Sequence, residues 1–211
     1  MNEGHSFMEV AYLISVANDK YNKILQSAIE VISEKGLDKT SISDIVKKAG
    51  VAQGTFYLYF RSKNALIPAI AENLLTLTLN RIKDKAQGKE SFWSMLTVFI
   101  NEIYQNTNDH KDVLVLCYSG LAIDYSMEIW EAIYQPFYQW FEEILNQAIE
   151  NKEIIEGIHV QWTAKMIINL VENAAERFYI GRDQDVTLEE SQNELFQFLK
   201  RSLVLSESNI S

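Results

Sequence analysis

The sequence SISDIVKKAGVAQGTFYLYFRSKNAL, residues 41–66, contains two short helical patterns joined by a tight turn. Ser41 and Asp44 are three residues apart, a spacing typical of the capping box that begins a helix. Apolar residues then recur at helical spacing, and Gly50 predicts the helix end, because glycine adopts the left-handed conformation at little cost. A second helix is predicted over residues 53–60. Helices joined so closely cross steeply, and we therefore predict a helix-turn-helix whose second helix can enter the major groove of DNA.

The run GVAQGTFYLYF over residues 50–60, followed by Ser62, Lys63 and Leu66, resembles the DNA-binding signature of the tetracycline-repressor (TetR) family. With the preceding helix, the resemblance covers residues 19–70. It implies a transcriptional regulator with an all-α fold of about nine helices. In that fold an N-terminal three-helix DNA-binding domain precedes a C-terminal helical domain for ligand binding and dimerisation. The resemblance indicates nothing about the ligand.

The start of the second helix carries the residues expected to contact DNA bases. The Gln53 amide can bond an adenine edge, the Thr55 methyl group can meet thymine, and Gly54 lets the backbone approach closely. Phosphate contacts, which position a protein without specifying a sequence, are expected from Thr40, Ser41, Ser43, Tyr57, Tyr59 and Lys63. The alternative for the two tyrosines is a place in the core, a place that Phe56 and Phe60 already fill.

The charge is distributed unevenly along the chain. The formal net charge is −10, which by itself argues against a nucleic-acid partner. Residues 19–70, however, contain eight Lys or Arg against five Asp or Glu, a balance of +3, so the remaining residues carry −13. Such a molecule has a basic head on an acidic body, and the body should repel DNA and leave only the head to bind it.

Length and composition limit the class of protein. The 211 residues are 47% hydrophobic and include one cysteine, which excludes an internal disulfide framework and favours a reducing cytoplasm. No apolar run approaches the ~20 residues that span a membrane. We predict a leader or extension over residues 1–18, a DNA-binding domain over residues 19–66, and a ligand-binding and dimerisation domain over residues 67–211.

The helices are predicted from apolar periodicity and from helix-ending residues. A helix over residues 20–35 braces the helix-turn-helix, and another from Ser62 to Lys85 belongs to both domains. The polar run over residues 106–112 is predicted to break the helix that precedes it, and Pro136 is predicted to kink or split its own helix. The remaining body helices are predicted over residues 91–104, 113–122, 126–151, 160–180 and 187–205.

Aromatic residues are concentrated in one part of the body. Residues 92–141 hold twelve of the 24 in the chain, and Trp130, Tyr134, Phe137 and Phe141 fall on one helix face. For any single residue a place in the core is favoured, but the cluster as a whole predicts a site for an apolar or aromatic ligand. The candidate ligand-binding residues are Trp93, Tyr104, Tyr118, Trp130, Tyr134, Phe137, Phe141 and Glu172.

Two acids, Glu172 and Glu176, interrupt an otherwise apolar helix. A cationic ligand could use them. The favoured interpretation is a solvated stripe together with Lys165 and Asn169.

The last two helices are apolar on more than one face, which predicts a homodimer built on a four-helix bundle, as the resemblance also implies. The candidate interface residues are Ile167, Val171, Ala174, Phe178, Leu195, Phe198 and Leu199.

Other chemistry finds little support. His5, His110 and His159 lack acidic or cysteine neighbours at ligand spacing, so no metal or cofactor is expected, and Cys117 is expected to be a small buried hydrophobe. No glycine-rich phosphate loop and no Ser/His/Asp grouping indicates an enzyme.

We therefore expect a repressor that binds a palindromic double-stranded DNA operator and is released by a small-molecule effector in the body. The alternatives are a regulator whose body recruits a protein partner and, with least support, a helical enzyme.

Overall fold

The computed structural model of the protein describes residues 7–121, 127–181 and 185–204, and their side chains at residues 19–115, 127–181 and 185–204. This described part is all-helical, with no strand, which confirms the predicted fold class. Its eight helices are α1 (Phe7–Lys35), α2 (Ile42–Ala49), α3 (Gln53–Tyr59), α4 (Leu66–Ala86), α5 (Phe92–Leu121), α6 (Met127–Glu150), α7 (Val160–Tyr179) and α8 (Leu188–Leu203).

Helices α1 and α5 are longer than predicted. Helix α1 begins at Phe7, inside the segment predicted to be a leader or extension. The predicted break over residues 106–112 is present only as a kink, because α5 is helical on both sides of His110, whose φ and ψ of −125° and 19° are not helical. Asn106 and Thr107 are buried, and Asn106 accepts a hydrogen bond from the Arg81 guanidinium at 3.3 Å. These polar residues are therefore packed against α4 instead of forming a surface loop.

Pro136 does not split α6. The helix runs on from Met127 to Glu150 with the proline inside it. A proline removes the hydrogen bond to the carbonyl group four residues earlier, here that of Ala132. Both residues are exposed, so water can reach the freed carbonyl group.

The chain divides into two compact units. Unit 1 consists of Met1–Ala71 and Leu116–Asp124, and unit 2 of Glu72–Val115 and Tyr125–Ser211. Helix α4 begins in unit 1 and ends in unit 2.

In unit 1 the ends of α2 are determined by near neighbours in sequence. The Ser41 hydroxyl accepts from the Asp44 backbone N–H at 3.1 Å, and the Asp44 carboxylate accepts from the Ser41 backbone N–H at 2.9 Å. The Lys35 ammonium, together with Ser41, holds the pKa of Asp44 well below its ordinary value. Gly50 ends the helix with φ at 66°, a conformation that favours glycine. The predicted capping box and helix end are confirmed.

Unit 2 has a core of large apolar side chains from α4 to α8. Phe99 on α5 meets Phe141 on α6 edge to face, with ring centroids 4.9 Å apart. Both rings are fully buried, as are Phe92 and Phe137. Aromatic residues of the predicted cluster therefore supply much of this core.

Candidate DNA-binding and effector sites

Helix α3 has one buried and one exposed face. Phe56 is fully buried, and Phe60, which directly follows the helix, is 3% exposed. These two side chains anchor α3 in unit 1. Residues four apart share a helix face. Gln53 and Tyr57 form one exposed pair, and Gly54 and Leu58 form another. The predicted base-contacting residues Gln53 and Gly54 are thus accessible on this face.

Tyr59, the last residue of α3, packs against an aromatic ring of α1. It is half-buried, and its ring meets that of Tyr21 on α1 edge to face at 5.9 Å. Tyr57 is 51% exposed by comparison. The ring of Tyr59 therefore packs within unit 1, whereas that of Tyr57 extends into solvent. Thr55, between the two faces, is half-buried.

One predicted phosphate contact, Thr40, is wrong, and a second, Lys63, has hydrogen-bond partners inside unit 1. Thr40 is 2% exposed, and its hydroxyl donates to the Gly36 carbonyl at 2.7 Å. The Lys63 ammonium donates to the carbonyl groups of Leu37 and Thr40 at 2.8 and 2.9 Å. Both side chains thus hold the connection between α1 and α2. Their hydrogen bonds join distant or buried groups, which the sequence pattern did not reveal.

Two more predicted phosphate contacts, Ser41 and Ser43, lie at the start of α2. Ser41 is exposed, and besides its capping bonds its hydroxyl donates to the Asp44 carboxylate at 2.6 Å. Ser43 is also exposed.

Leu58 is a residue to which the sequence analysis gave no role. It is 80% exposed, more than any other large apolar side chain in the described part of the protein. Its exposure could have been predicted from its position two residues after Phe56, because 200° of helical rotation puts the two side chains on opposite faces.

In unit 2 the structure brings together Tyr134 on α6 and Glu172 on α7. The Tyr134 hydroxyl lies 3.1 Å from each carboxyl oxygen of Glu172. Glu172 keeps part of its surface exposed, but its carboxyl group is buried. Burial raises the pKa of Glu172 to about 8, against the lowering effect of the Tyr134 hydrogen bond and with a smaller rise from Glu176. The favoured interpretation of a solvated stripe is therefore wrong for Glu172.

Further aromatic contacts lie between α6 and α7, near Tyr134 and Glu172. Tyr138 stacks on Tyr134 with ring centroids 5.7 Å apart. The Lys165 ammonium lies 4.7 Å from the Tyr138 ring centroid and forms an ion pair with Glu131. Burial, with Glu131 and Glu172, raises the pKa of Tyr138 to about 12. We call Trp130, Tyr134, Tyr138, Lys165 and Glu172 the α6–α7 seam.

Trp130 lies one helical turn before Tyr134 on the same face of α6. It is half-buried, and its indole N–H is buried without a hydrogen-bond partner. Buried donors are nearly always paired in folded proteins, so this one is available to an acceptor that enters the seam.

The other predicted ligand-binding residues lie elsewhere. Phe137 and Phe141 are core residues at 1% and 0% exposure. Tyr104 is buried and shares a 2.8 Å hydrogen bond with Ser191 of α8. The ring centroid of Trp93 lies 6.0 Å from that of Phe196 and 5.7 Å from the Lys200 ammonium. The side chain of Tyr118 lies outside the described residues.

Most of the predicted dimer residues are buried within their own chain. Ile167, Val171, Leu195 and Leu199 are 0–7% exposed and belong to the core of unit 2, so assigning them to an interface is corrected. Ala174 and Phe178 are half-buried, and Phe198 is 53% exposed. On α7 the exposed apolar side chains are instead Trp162 and Met166, at 62% and 52%.

The described residues offer neither a metal-binding cluster nor a membrane-spanning helix. They contain no group of three or more His, Cys, Asp or Glu placed to hold a metal ion. They also include no helix that is both long and apolar enough to cross a membrane.

His159 caps α7 by accepting from the Trp162 backbone N–H at 3.3 Å. Burial lowers the pKa of His110. His5 and the side chain of Cys117 lie outside the residues described.

Comparison with known proteins identifies the family. Residues 24–70 match the tetR family of bacterial regulatory proteins, and residues 96–203 match the tetracyclin repressor-like C-terminal domain. The HTH-type transcriptional regulator YvdT of Bacillus subtilis (strain 168) is 68% identical over 184 residues, covering 87% of this chain and 95% of YvdT.

Solved structures show the same fold. FadR from Bacillus subtilis in complex with stearoyl-CoA is 24% identical with a TM-score of 0.69, covering 85% of this chain and 97% of that chain. FadR from Thermus thermophilus in complex with lauroyl-CoA is 22% identical with a TM-score of 0.68, covering 90% and 98%. The match of both halves of the chain and the identity to YvdT establish that this protein belongs to the TetR family of helix-turn-helix, DNA-binding transcriptional regulators.

Proposed function

We propose that this protein is a homodimeric cytoplasmic repressor, released from a palindromic operator by a small molecule bound in unit 2. The observation that supports control by a small molecule is the buried carboxyl group of Glu172 beside aromatic rings in the α6–α7 seam. Family membership supports DNA binding, and the exposed face of α3 supports its location. We place the change from DNA-binding domain to effector domain within α4, near the boundary between the units at Ala71 and Glu72.

For DNA recognition, we propose that α3 enters the major groove with Gln53, Gly54 and Tyr57 toward the DNA. A two-fold dimer presents two such helices, so the half-sites should lie about one helical turn, or ~34–36 Å, apart. Gln53→Ala should relax base preference at one position of each half-site and leave binding to random DNA nearly unchanged. Equal losses on operator and random DNA would contradict base recognition by Gln53.

For dimerisation, we propose that α7 and α8 pair with their symmetry mates through Trp162, Met166 and Phe198. Large exposed apolar side chains on neighbouring helices indicate an interface when they occur together. Met166→Glu should shift the sedimentation mass from a dimer toward the 24.3 kDa of one chain. Gln161→Glu adds the same charge at an exposed position of the same helix and should leave the dimer intact. A wild-type mass of 24.3 kDa at micromolar concentration would overturn the proposal.

The α6–α7 seam suggests the chemistry of the effector. A buried carboxyl group and an unpaired indole N–H both gain from a polar partner, while the surrounding rings favour apolar or aromatic surface. We propose an apolar or aromatic effector with one polar end, which can be a protonated amine bound by Glu172. The FadR structures were determined with acyl-CoA thioesters, so fatty acyl compounds belong in the same test.

Coupling to DNA requires that the effector bind one state of the dimer better than another. We propose that this state holds the two α3 helices at a spacing that does not fit successive major grooves. Helix α4 supplies the connection, because it follows α3 in unit 1 and continues into unit 2. A coupling of about 1–3 kcal/mol would weaken operator binding about 5–150-fold.

A thermal-shift screen of acyl-CoA esters, fatty acids and aromatic amines, followed by operator binding with each hit, tests this function. Trp130→Ala and Tyr134→Phe should reduce both the thermal shift and operator release. Trp93→Ala, an aromatic substitution outside the seam, is the matched control. A hit unaffected by both seam variants would place the effector elsewhere. A screen in which no compound releases DNA would favour a body that recruits a protein partner.

A further inference from the structure

The exposed face of α3 contains an apolar side chain that polar DNA contacts do not explain. Leu58 is 80% exposed, and it follows Tyr57, which is 51% exposed, on the last turn of the helix. Gly54, one turn earlier on the same face, has no side chain that could cover it. Leu58 therefore extends from the part of α3 that is proposed to face DNA.

The packing of α3 prevents Leu58 from turning inward. Phe56 is fully buried and Phe60 is 3% exposed, each two residues from Leu58. Two residues correspond to 200° of helical rotation, so burying Leu58 would bring both phenylalanines into water. Exposing such rings costs far more than burying one leucine recovers. The exposure of Leu58 is therefore a consequence of how α3 is anchored.

The major groove offers few apolar groups to such a side chain. Base edges present hydrogen-bond donors and acceptors there, and the C5-methyl group of thymine is the apolar exception. A leucine forms no hydrogen bond, so its contact with a base edge favours thymine. We propose that Leu58 packs on a thymine methyl group in each operator half-site and specifies thymine at that position. This inference rests on the proposed role of α3 in the groove.

The test uses a DNA fragment selected from a random pool by the full-length wild-type protein. The thymines of one half-site are replaced by deoxyuridine one at a time, each together with its symmetry mate. Deoxyuridine differs from thymidine only in lacking the C5-methyl group. At the position that Leu58 contacts, we expect the affinity of the wild-type protein for the DNA to fall about fourfold for each methyl group lost, or about fifteenfold for the symmetric pair. Leu58→Ala should bind the deoxyuridine and thymine fragments equally at that position.

Two comparisons separate Leu58 from its neighbours. Leu58→Met keeps a long apolar side chain and should retain the deoxyuridine effect. A thymine contacted by the Thr55 methyl group should show the same deoxyuridine effect in wild type and in Leu58→Ala, because independent contacts are additive. Since Leu58 is exposed, both variants should keep the wild-type unfolding transition.

Several outcomes would overturn the proposal. A deoxyuridine effect that persists unchanged in Leu58→Ala at every position would show that another residue contacts the methyl groups. An equal loss of affinity on all sequences would assign Leu58 to the sugar–phosphate backbone. No loss with Leu58→Ala on any DNA would point to a protein partner or a second copy as the occupant of this face. Failure of the pool to yield any enriched sequence would contradict operator binding itself.

Discussion

The cap of α2 in unit 1 and the bonds between helices of unit 2 join polar groups at very different distances along the chain. In unit 1, Ser41 and Asp44 cap α2 from three residues apart. In unit 2, Tyr134 bonds Glu172 across 38 residues, and Tyr104 bonds Ser191 across 87. Partners that are close in sequence can be recognised from their spacing alone. Partners on different helices become visible only when the packing is known.

The contacts that the sequence did not predict are long-range ones, and they occur in both units. Glu172 was assigned to a solvated stripe because its partner is on another helix. Lys63 was assigned to DNA, although it bonds carbonyl groups 26 and 23 residues away. Local and long-range contacts therefore differ in how far the sequence predicts them, and substitutions of graded effect can test this difference.

The largest expected effect separates two adjacent residues of α3. Phe56→Ala removes a fully buried ring and should lower the free energy of unfolding of unit 1 by about 3–5 kcal/mol. Tyr57→Ala removes a ring that is 51% exposed and should change it by less than about 0.5 kcal/mol while weakening operator binding. Urea denaturation followed by circular dichroism measures the first quantity, and fluorescence anisotropy with labelled operator the second. Similar destabilisation by both variants would contradict the assignment of the two faces.

The second prediction tests the buried acid of unit 2. Because the folded-state pKa of Glu172 is about 8 and its ordinary value is 4.5, the native protein holds an extra proton between those pH values. The stabilisation this provides is fully present below pH 4.5 and is lost as pH rises to about 8, by up to about 1.4 kcal/mol per pH unit.

Glu172→Gln mimics the protonated acid and should remove that loss. Unfolding free energies of wild type and variant, measured at intervals from pH 5 to 8.5, should show wild type falling relative to Glu172→Gln. Glu143→Gln, an exposed position on α6, should keep the wild-type slope. Parallel curves for wild type and Glu172→Gln would mean that the carboxyl group is solvated after all.

The third prediction concerns the local cap of unit 1. Ser41→Ala removes the hydroxyl that accepts from the Asp44 backbone N–H and should destabilise the protein by about 1 kcal/mol. Ser43→Ala, two residues later and exposed, should be neutral or slightly stabilising because alanine favours helices. Thermal denaturation of the two variants gives the comparison. A neutral Ser41→Ala would show that the cap is not what begins α2.

A loss similar in size to that of the α2 cap is expected at the long-range hydrogen bond of unit 2. Tyr104→Phe keeps the buried ring and removes only the hydroxyl that bonds Ser191, at a cost of about 0.5–1.5 kcal/mol. A double-mutant cycle with Ser191→Ala should show coupling between the two substitutions. Strictly additive losses would mean that α5 and α8 are held by ring packing alone.

The sequence by itself determined the helix-turn-helix and the family. Its signals are local, since a capping box, a left-handed glycine and the alternation of Phe56 with Tyr57 involve residues within one or two helical turns. It also indicated an all-helical body rich in aromatic residues. Backbone periodicity is sufficient for that, because each helix forms its own hydrogen bonds.

Only the tertiary structure decided which apolar and acidic positions face the interior. Val171 and Trp162 both lie on α7, yet one is fully buried and the other is 62% exposed. Periodicity shows that a helix has an apolar face, but which residues the neighbouring helices cover depends on how those helices pack. In the same way, the carboxyl group of Glu172 becomes a weaker acid only because helix packing buries it, and this burial outweighs the opposing effect of the Tyr134 hydrogen bond on its pKa.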